Sequence, residues 1–272
     1  MAVTVSQRYC EGGLRFRVIL PDGALAAALS SSWKSFAVDA DSSIDIDAQC
    51  SQEEAARTPP WVFPTSERLA DGTLRIRGPE FAAEATPDRR SVVCSGSPQR
   101  LDIENVVKLL IADWLIDQGG LLLHSVAVSF SDRACLFTGP SGAGKSTLGA
   151  LCAAAGWQLL GDELVAVRPT GDTYLCDGTP WNVGAPTSAM LKLVGDLAFA
   201  RQATLQTIEP GPLLRLMLAN AVMPDLSASG RAKLFRNASR LLERVPSVRL
   251  YFAQNTSPTP SLKAHLERPA AI

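Results

Sequence analysis

Two histidines and six cysteines are the only imidazole and thiol groups in 272 residues, and they do not gather. Cys10, Cys50, Cys94, Cys135, Cys152 and Cys176 form no CxxC pair and have no histidine at zinc-finger spacing, so a sequence-encoded zinc site is excluded and a reducing compartment fits. Long apolar runs are also missing. No window reaches eighteen uncharged apolar residues, so no membrane partner is expected, and the opening MAVTVSQRYCEGG has no basic start before an apolar core, so no signal peptide is expected. The cytoplasm is the expected location. Charge of one sign is scarce as well: 26 Lys+Arg stand against 27 Asp+Glu, a formal net charge of -1, which argues against nucleic-acid binding through bulk electrostatics. The exception is local, with ten Lys/Arg against four Asp/Glu from residue 201 onward.

What is present suffices for a substantial core. At 46% hydrophobic residues, the chain can hold one large domain or two modest ones. Residues 1–95 read as a small, mainly β region, because Leu14–Leu20, Ile44–Asp47 and Leu74–Arg77 alternate with period two and the first stops at Pro21-Asp22-Gly23. From Leu101 the period changes to that of a helix, closed by Gly119-Gly120, and Leu121–Val128 then reads as a strand. A polar turn at Ser131-Asp132-Arg133 leads to a short apolar strand, Ala134–Phe137. Residues 96–254 are expected to form one α/β domain. Within it, 175–194 reads as loop-rich, helices are expected over 213–223 and 231–244, and a late strand over 245–252. The stretch 255–272 reads as an irregular tail.

The most informative stretch is FTGPSGAGKST, in which a strand runs into a glycine-rich loop and the loop into a helix. Gly139, Gly142 and Gly144 let the backbone curl so that N–H groups converge on an anion, with Pro140, Ser141 and Ala143 completing the cradle. The positive end of the following helix, with Lys145, Ser146 and Thr147 in its first turn, faces the same anion. Geometry of this kind selects polyphosphate: Lys145 would reach the β- and γ-phosphates of ATP and the Ser146 hydroxyl would be a ligand of Mg²⁺.

Asp162 and Glu163 follow 17 and 18 residues after Lys145, an interval of one helix and one return strand. That returns a carboxylate pair beside the loop, one to support Mg²⁺ and one to take the proton of an acceptor hydroxyl, and both residues are candidates for either role. His124 lies 15 residues before Gly139 on the partner strand, and two readings stand open: a hydrogen-bonded core residue, or a group that orients a carboxylate or contacts the γ-phosphate. Arg236, Arg240 and Arg244 recur every four residues on one helix face. They are candidates for an anionic partner, with a solvated helix face as the alternative.

Taken together, Gly119–Trp181 resembles the catalytic domain of the HPr kinase/phosphorylase family, whose P-loop fold is related to that of phosphoenolpyruvate carboxykinases. The matching pieces are His124, the loop GPSGAGKS, the helix ended by Ala155-Gly156, and LLGDE. The resemblance implies that Asp162 activates an acceptor serine, that Glu163 is its acidic neighbour, and that Ser146 ligates metal. Glu163 stands where the bacterial regulatory enzymes usually carry a second aspartate. GTPW at 178–181 is similar instead to divergent members in gene clusters for modified peptides, including lasso peptides, some of which phosphorylate a C-terminal serine. The resemblance therefore implies a peptide or small hydroxyl-bearing substrate, and it leaves homo-oligomerisation open. Three functional readings remain: a peptide kinase, a kinase of a sugar, amino acid or other small alcohol, and a non-catalytic nucleotide-gated binding protein.

Overall fold

The computed structural model describes residues 4–11, 14–21, 23–39, 44–50, 63–181 and 184–267. The chain is of mixed α/β type and separates into two compact units, Met1–Trp114 with Met223–Ala232, and Leu115–Val222 with Lys233–Ile272. Composition alone places a boundary near residue 95; the contacts place it at Trp114, and the first unit takes back a segment from late in the chain. Among the described residues no helix is long and apolar enough to cross a membrane.

The first unit contains β1 (Thr4–Glu11), β2 (Leu14–Pro21), α1 (Ala24–Ser32), a 3-10 turn (Lys34–Phe36), β3 (Ile44–Cys50), β4 (Thr65–Arg68), β5 (Leu74–Arg77), β6 (Phe81–Ala85) and β7 (Ser91–Gly96). The strands form one sheet in the order β1-β2-β3-β7-β6-β5-β4. Period-two alternation builds it, since Leu14, Phe16, Val18 and Leu20, then Leu74 and Ile76, then Phe81, Ala83 and Ala85 are all buried. The alternating patterns do not announce α1. Its sequence is alanine-rich, which favours helix, and it buries Ala26 and Leu29, while Trp33 meets Phe16 edge to face at 6.0 Å between ring centroids.

Helix α2 (Arg100–Asp117) starts in the first unit and ends in the second at Gly119, whose φ of +82° suits only glycine at low cost. The second unit continues with β8 (Leu121–Phe130), β9 (Arg133–Thr138), α3 (Lys145–Ala154), β10 (Gln158–Gly161), β11 (Leu164–Thr170), β12 (Thr173–Asp177), β13 (Ser188–Phe199), β14 (Thr204–Thr207), α4 (Pro210–Ala219), α5 (Ala228–Arg244), β15 (Ser247–Phe252) and α6 (Thr259–Leu266). Ser131 and Asp132, both at positive φ, make the two-residue turn between β8 and β9. Pairings of β8 with β9, β9 with β13, β13 with β12, β12 with β11 and β11 with β8 close into a circuit, and β15 adds parallel to β13.

Two expectations are corrected. The stretch 175–194 holds the end of β12 and the start of β13, because the Gly/Pro-rich turn material occupies only its middle. The tail read as irregular carries α6, whose Leu262 and Leu266 enter the core beside Leu148, Cys152, Phe137, Val126 and Phe252. Proline at the helix start supplies the fixed φ that nucleates the turn, which is why a proline-rich segment is helical here.

Candidate functional site

The glycine-rich loop hangs from the end of a fully buried strand. Ala134, Cys135, Leu136 and Phe137 are inaccessible, and the Thr138 hydroxyl donates to the His124 carbonyl at 3.1 Å, tying the loop's root to β8. The Ala143 N–H closes a turn on the Pro140 carbonyl at 3.2 Å. Gly142 and Gly144 have φ of +81° and +98°, and a Cβ on Gly144 would also come within 3.3 Å of the Phe252 ring. Glycine is required there for conformation and for space.

Gly144 is the N-cap of α3 and supplies no side-chain cap. The first N–H groups of the helix, those of Lys145, Ser146 and Thr147, therefore have no acceptor within it, and they add to the positive end of the helix dipole. Lys145 is only 7% exposed, and its ammonium donates to the carbonyls of Gly139 at 2.8 Å and Pro140 at 3.1 Å, bracing the loop from within. Burial lowers its pKa; the charge of Asp162 pulls it back up.

The acidic turn reaches the loop through strand register. Gly161 pairs with Ala127 and Leu164 with His124, so after a bulge in β10 between Leu159 and Gly161 the end of β10 and the start of β11 share one register along β8, and Asp162-Glu163 interrupts them opposite Val126 and Ser125. The Ser125 N–H donates to the Glu163 carbonyl at 3.1 Å, and Ser125 also pairs with Thr138 of β9. Two strand spacings, about 10 Å, thus separate the acidic turn from the root of the loop, and α3 crosses the gap by packing on Val126 and Leu159 through Gly149. There the Ser146 side chain acts on the Asp162 carboxyl and holds its pKa down. Burial raises the Asp162 carboxyl above its ordinary value, while the Ser146 side chain and the charges of Lys145 and His124 pull it down and that of Glu163 pushes it up. The structure therefore brings Lys145, Ser146, Asp162, Glu163 and His124 into one electrostatic neighbourhood.

His124 is not a core residue. Its backbone is fixed on both sides, by Leu164 in β11 and by the Asn220 carbonyl at 2.7 Å, but its side chain is exposed, alternating with the inaccessible Leu123 and Ser125. Arg240 and Arg244 do not come to this place. Arg244 reaches the Gly171 carbonyl at 3.5 Å, and Arg240 and Arg244 lie in the field of Tyr174, all at the β11–β12 turn. That turn is the far end of a seven-residue strand that starts at Leu164, roughly 20 Å along the sheet. Arg236 is exposed on the same helix.

Thr179, which the sequence marks only as part of GTPW, is wholly buried and bonded to the Leu164 carbonyl immediately after the acidic pair. Among the described residues no group of three or more His, Cys, Asp and Glu side chains could hold a metal.

No protein-family model matches this chain, and no curated protein matches it. Among solved structures, the Hpr(Ser) kinase/phosphatase from Coxiella burnetii matches with 10% sequence identity over 53% of this chain and 91% of its own length, at a TM-score of 0.29. A likeness of that degree shows neither a shared mechanism nor a shared substrate.

Proposed function

We propose that the chain is a P-loop phosphotransferase of the HPr kinase-like kind, which moves the γ-phosphoryl group of ATP onto a serine-type hydroxyl, most simply that of a peptide. The observation that carries this reading is the strand register that sets the Asp162-Glu163 turn two strands from the root of the glycine-rich loop, where Ser146, Lys145 and His124 all act on the Asp162 carboxyl. An anion cradle alone binds phosphate. A cradle with a carboxylate of raised proton affinity beside it can also accept the proton of an attacking alcohol.

In this reading the loop N–H groups and the positive end of α3 hold the β- and γ-phosphates, and Lys145 adds a buried positive charge where negative charge shifts during transfer. Asp162 takes the proton from the acceptor oxygen, and its burial keeps that proton affinity high. Glu163 adds a second negative charge beside it, and the exposed His124, whose charge acts on Asp162, would meet the γ-phosphate or the acceptor.

Ser146 and Glu163 are hard oxygen donors flanking Asp162, of the kind that suits an ion which keeps waters and substrate phosphates in its shell. They fit Mg²⁺, which when bound would neutralise charge on the β- and γ-phosphates. The peptide acceptor rests on the GTPW resemblance. Incubation with γ-labelled ATP, Mg²⁺ and peptides bearing internal and C-terminal serines, followed by mass spectrometry, tests it. Label on serine supports the reading, label confined to a sugar or free amino acid makes the chain a small-molecule kinase, and bound ATP with no labelled product makes it a nucleotide-gated binding protein.

A further inference from the structure

The acidic turn is not held by its own strand alone. The Ala185 N–H donates to the Leu160 carbonyl at 3.2 Å, and Gly184 forms an isolated bridge with Gly161, both just before Asp162. Just after Glu163, the Leu164 carbonyl accepts a hydrogen bond from the Thr179 hydroxyl at 2.5 Å. One segment therefore grips the turn at both ends. Its own fit is close: a Cβ at Gly178 would lie 1.8 Å from the Ala185 carbonyl oxygen, and one at Gly184 would lie 2.2 Å from that of Thr179 and 2.8 Å from that of Leu160. The Gly178 N–H closes the segment on the Thr187 carbonyl at 3.0 Å. Of these contacts, the Thr179 bond is the one made by a side chain.

We infer that Thr179 is a positioning residue for Asp162: its hydroxyl fixes the backbone at Leu164, and so sets the angle at which the Asp162 carboxylate meets Ser146 and the acceptor. This deepens the phosphotransferase reading and rests on it. The physical grounds are that Thr179 is wholly buried, so its hydroxyl needs an acceptor, and that the acceptor it uses is the carbonyl two residues from Asp162. Leu164 also pairs with His124, so a slip at this carbonyl shifts the carboxylate and the imidazole together. Because transfer depends on placement, a displacement of about 1 Å is enough to slow it by ~100-fold.

The test compares Thr179→Val, which keeps the shape and loses the hydroxyl, with Thr179→Ser, which keeps the hydroxyl, and with Thr179→Ala in case valine does not fold. Single-turnover transfer from Mg·ATP to the serine peptide pool is followed against pH, with ATP affinity and melting temperature measured alongside and Asp162→Asn as reference. The expected result is a ~10- to 100-fold slower transfer in Thr179→Val or Thr179→Ala, a displaced acid limb, an ATP affinity within about 2-fold of the parent, and near-parental transfer in Thr179→Ser. Parental rate and pH profile in Thr179→Val overturn the inference while slow transfer in Asp162→Asn leaves the phosphotransferase reading standing. Unfolding of both Val and Ala variants, or loss of ATP binding in step with melting temperature, makes Thr179 a structural residue and overturns the inference. If Asp162→Asn transfers at the parental rate, the reading beneath it fails first.

Discussion

Ser146, in the first turn of α3, acts on the carboxyl of Asp162, in the turn between β10 and β11, and holds its pKa down. The two are 16 residues apart in sequence, and this link couples the N-terminal end of α3 to the acidic turn. Replacing Ser146 with alanine removes the hydroxyl oxygen that would ligate the metal. Mg²⁺-dependent ATP affinity is expected to fall by ~10-fold or more, with Mg²⁺-free affinity little changed, since a charge-assisted bond contributes about 1.5–3 kcal/mol. Calorimetric titration with and without Mg²⁺ checks it.

Lys145 is expected to matter more for turnover than for binding. Its ammonium is already held by the loop carbonyls, and its charge counts most when charge moves on the γ-phosphoryl group. Lys145→Ala should reduce product formation by ~100-fold or more. Parental activity in that variant, with contaminating kinases excluded, would remove the loop from the mechanism.

Asp162 carries a stability signature independent of activity. Its carboxyl lies above the ordinary value because burial penalises the charged form. The unfolded chain therefore releases that proton at lower pH than the folded one, so stability falls as pH rises from the ordinary aspartate value through the raised one and remains lower above it. Asp162→Asn should raise the urea midpoint at about pH 7 and leave it unchanged at about pH 3.5. An unchanged midpoint at neutral pH would contradict the half-buried placement.

The arginines of α5 give a prediction of indifference. Arg240→Ala and Arg244→Ala should leave ATP affinity within about 2-fold, as befits exposed charges far from the loop. Both should raise the Tyr174 pKa further, since burial already raises it and these two charges hold it down. Absorbance titration of the phenol reads this directly.

Helix α6 tests the packing. Leu262 is wholly buried in the core that also holds Leu148 and Phe252. Leu262→Ala should cost about 2–5 kcal/mol in urea unfolding.

What could be read in the sequence was local. The cradle from Gly139 to Ser146 and the return of Asp162 are set by turn glycines, one helix and one strand, so spacing alone indicated where they would meet. The direction of the α5 arginines was not legible, because a four-residue period defines a face and not the element that the face meets; Gly171 and Tyr174 supply that. His124 was undecided because β8 is apolar and buried on both faces, and nothing in such a run says that one position opens to solvent. The twelve residues of β13 were partly hidden behind Gly184-Ala185-Pro186, and Thr179 read as turn material because its acceptor lies 15 residues away.

The central claim is that Asp162 receives the acceptor's proton beside a nucleotide held by the loop. Single-turnover transfer at saturating ATP and serine peptide, run for Asp162→Asn and Glu163→Gln across a Mg²⁺ titration, tests it most directly. The account predicts that Asp162→Asn binds ATP normally and transfers ~100-fold or more slowly at every Mg²⁺ concentration, while Glu163→Gln is at least partly restored as Mg²⁺ rises. Near-parental transfer by Asp162→Asn at high Mg²⁺, with Glu163→Gln inactive although metal is bound, would contradict it and give the two carboxylates opposite roles.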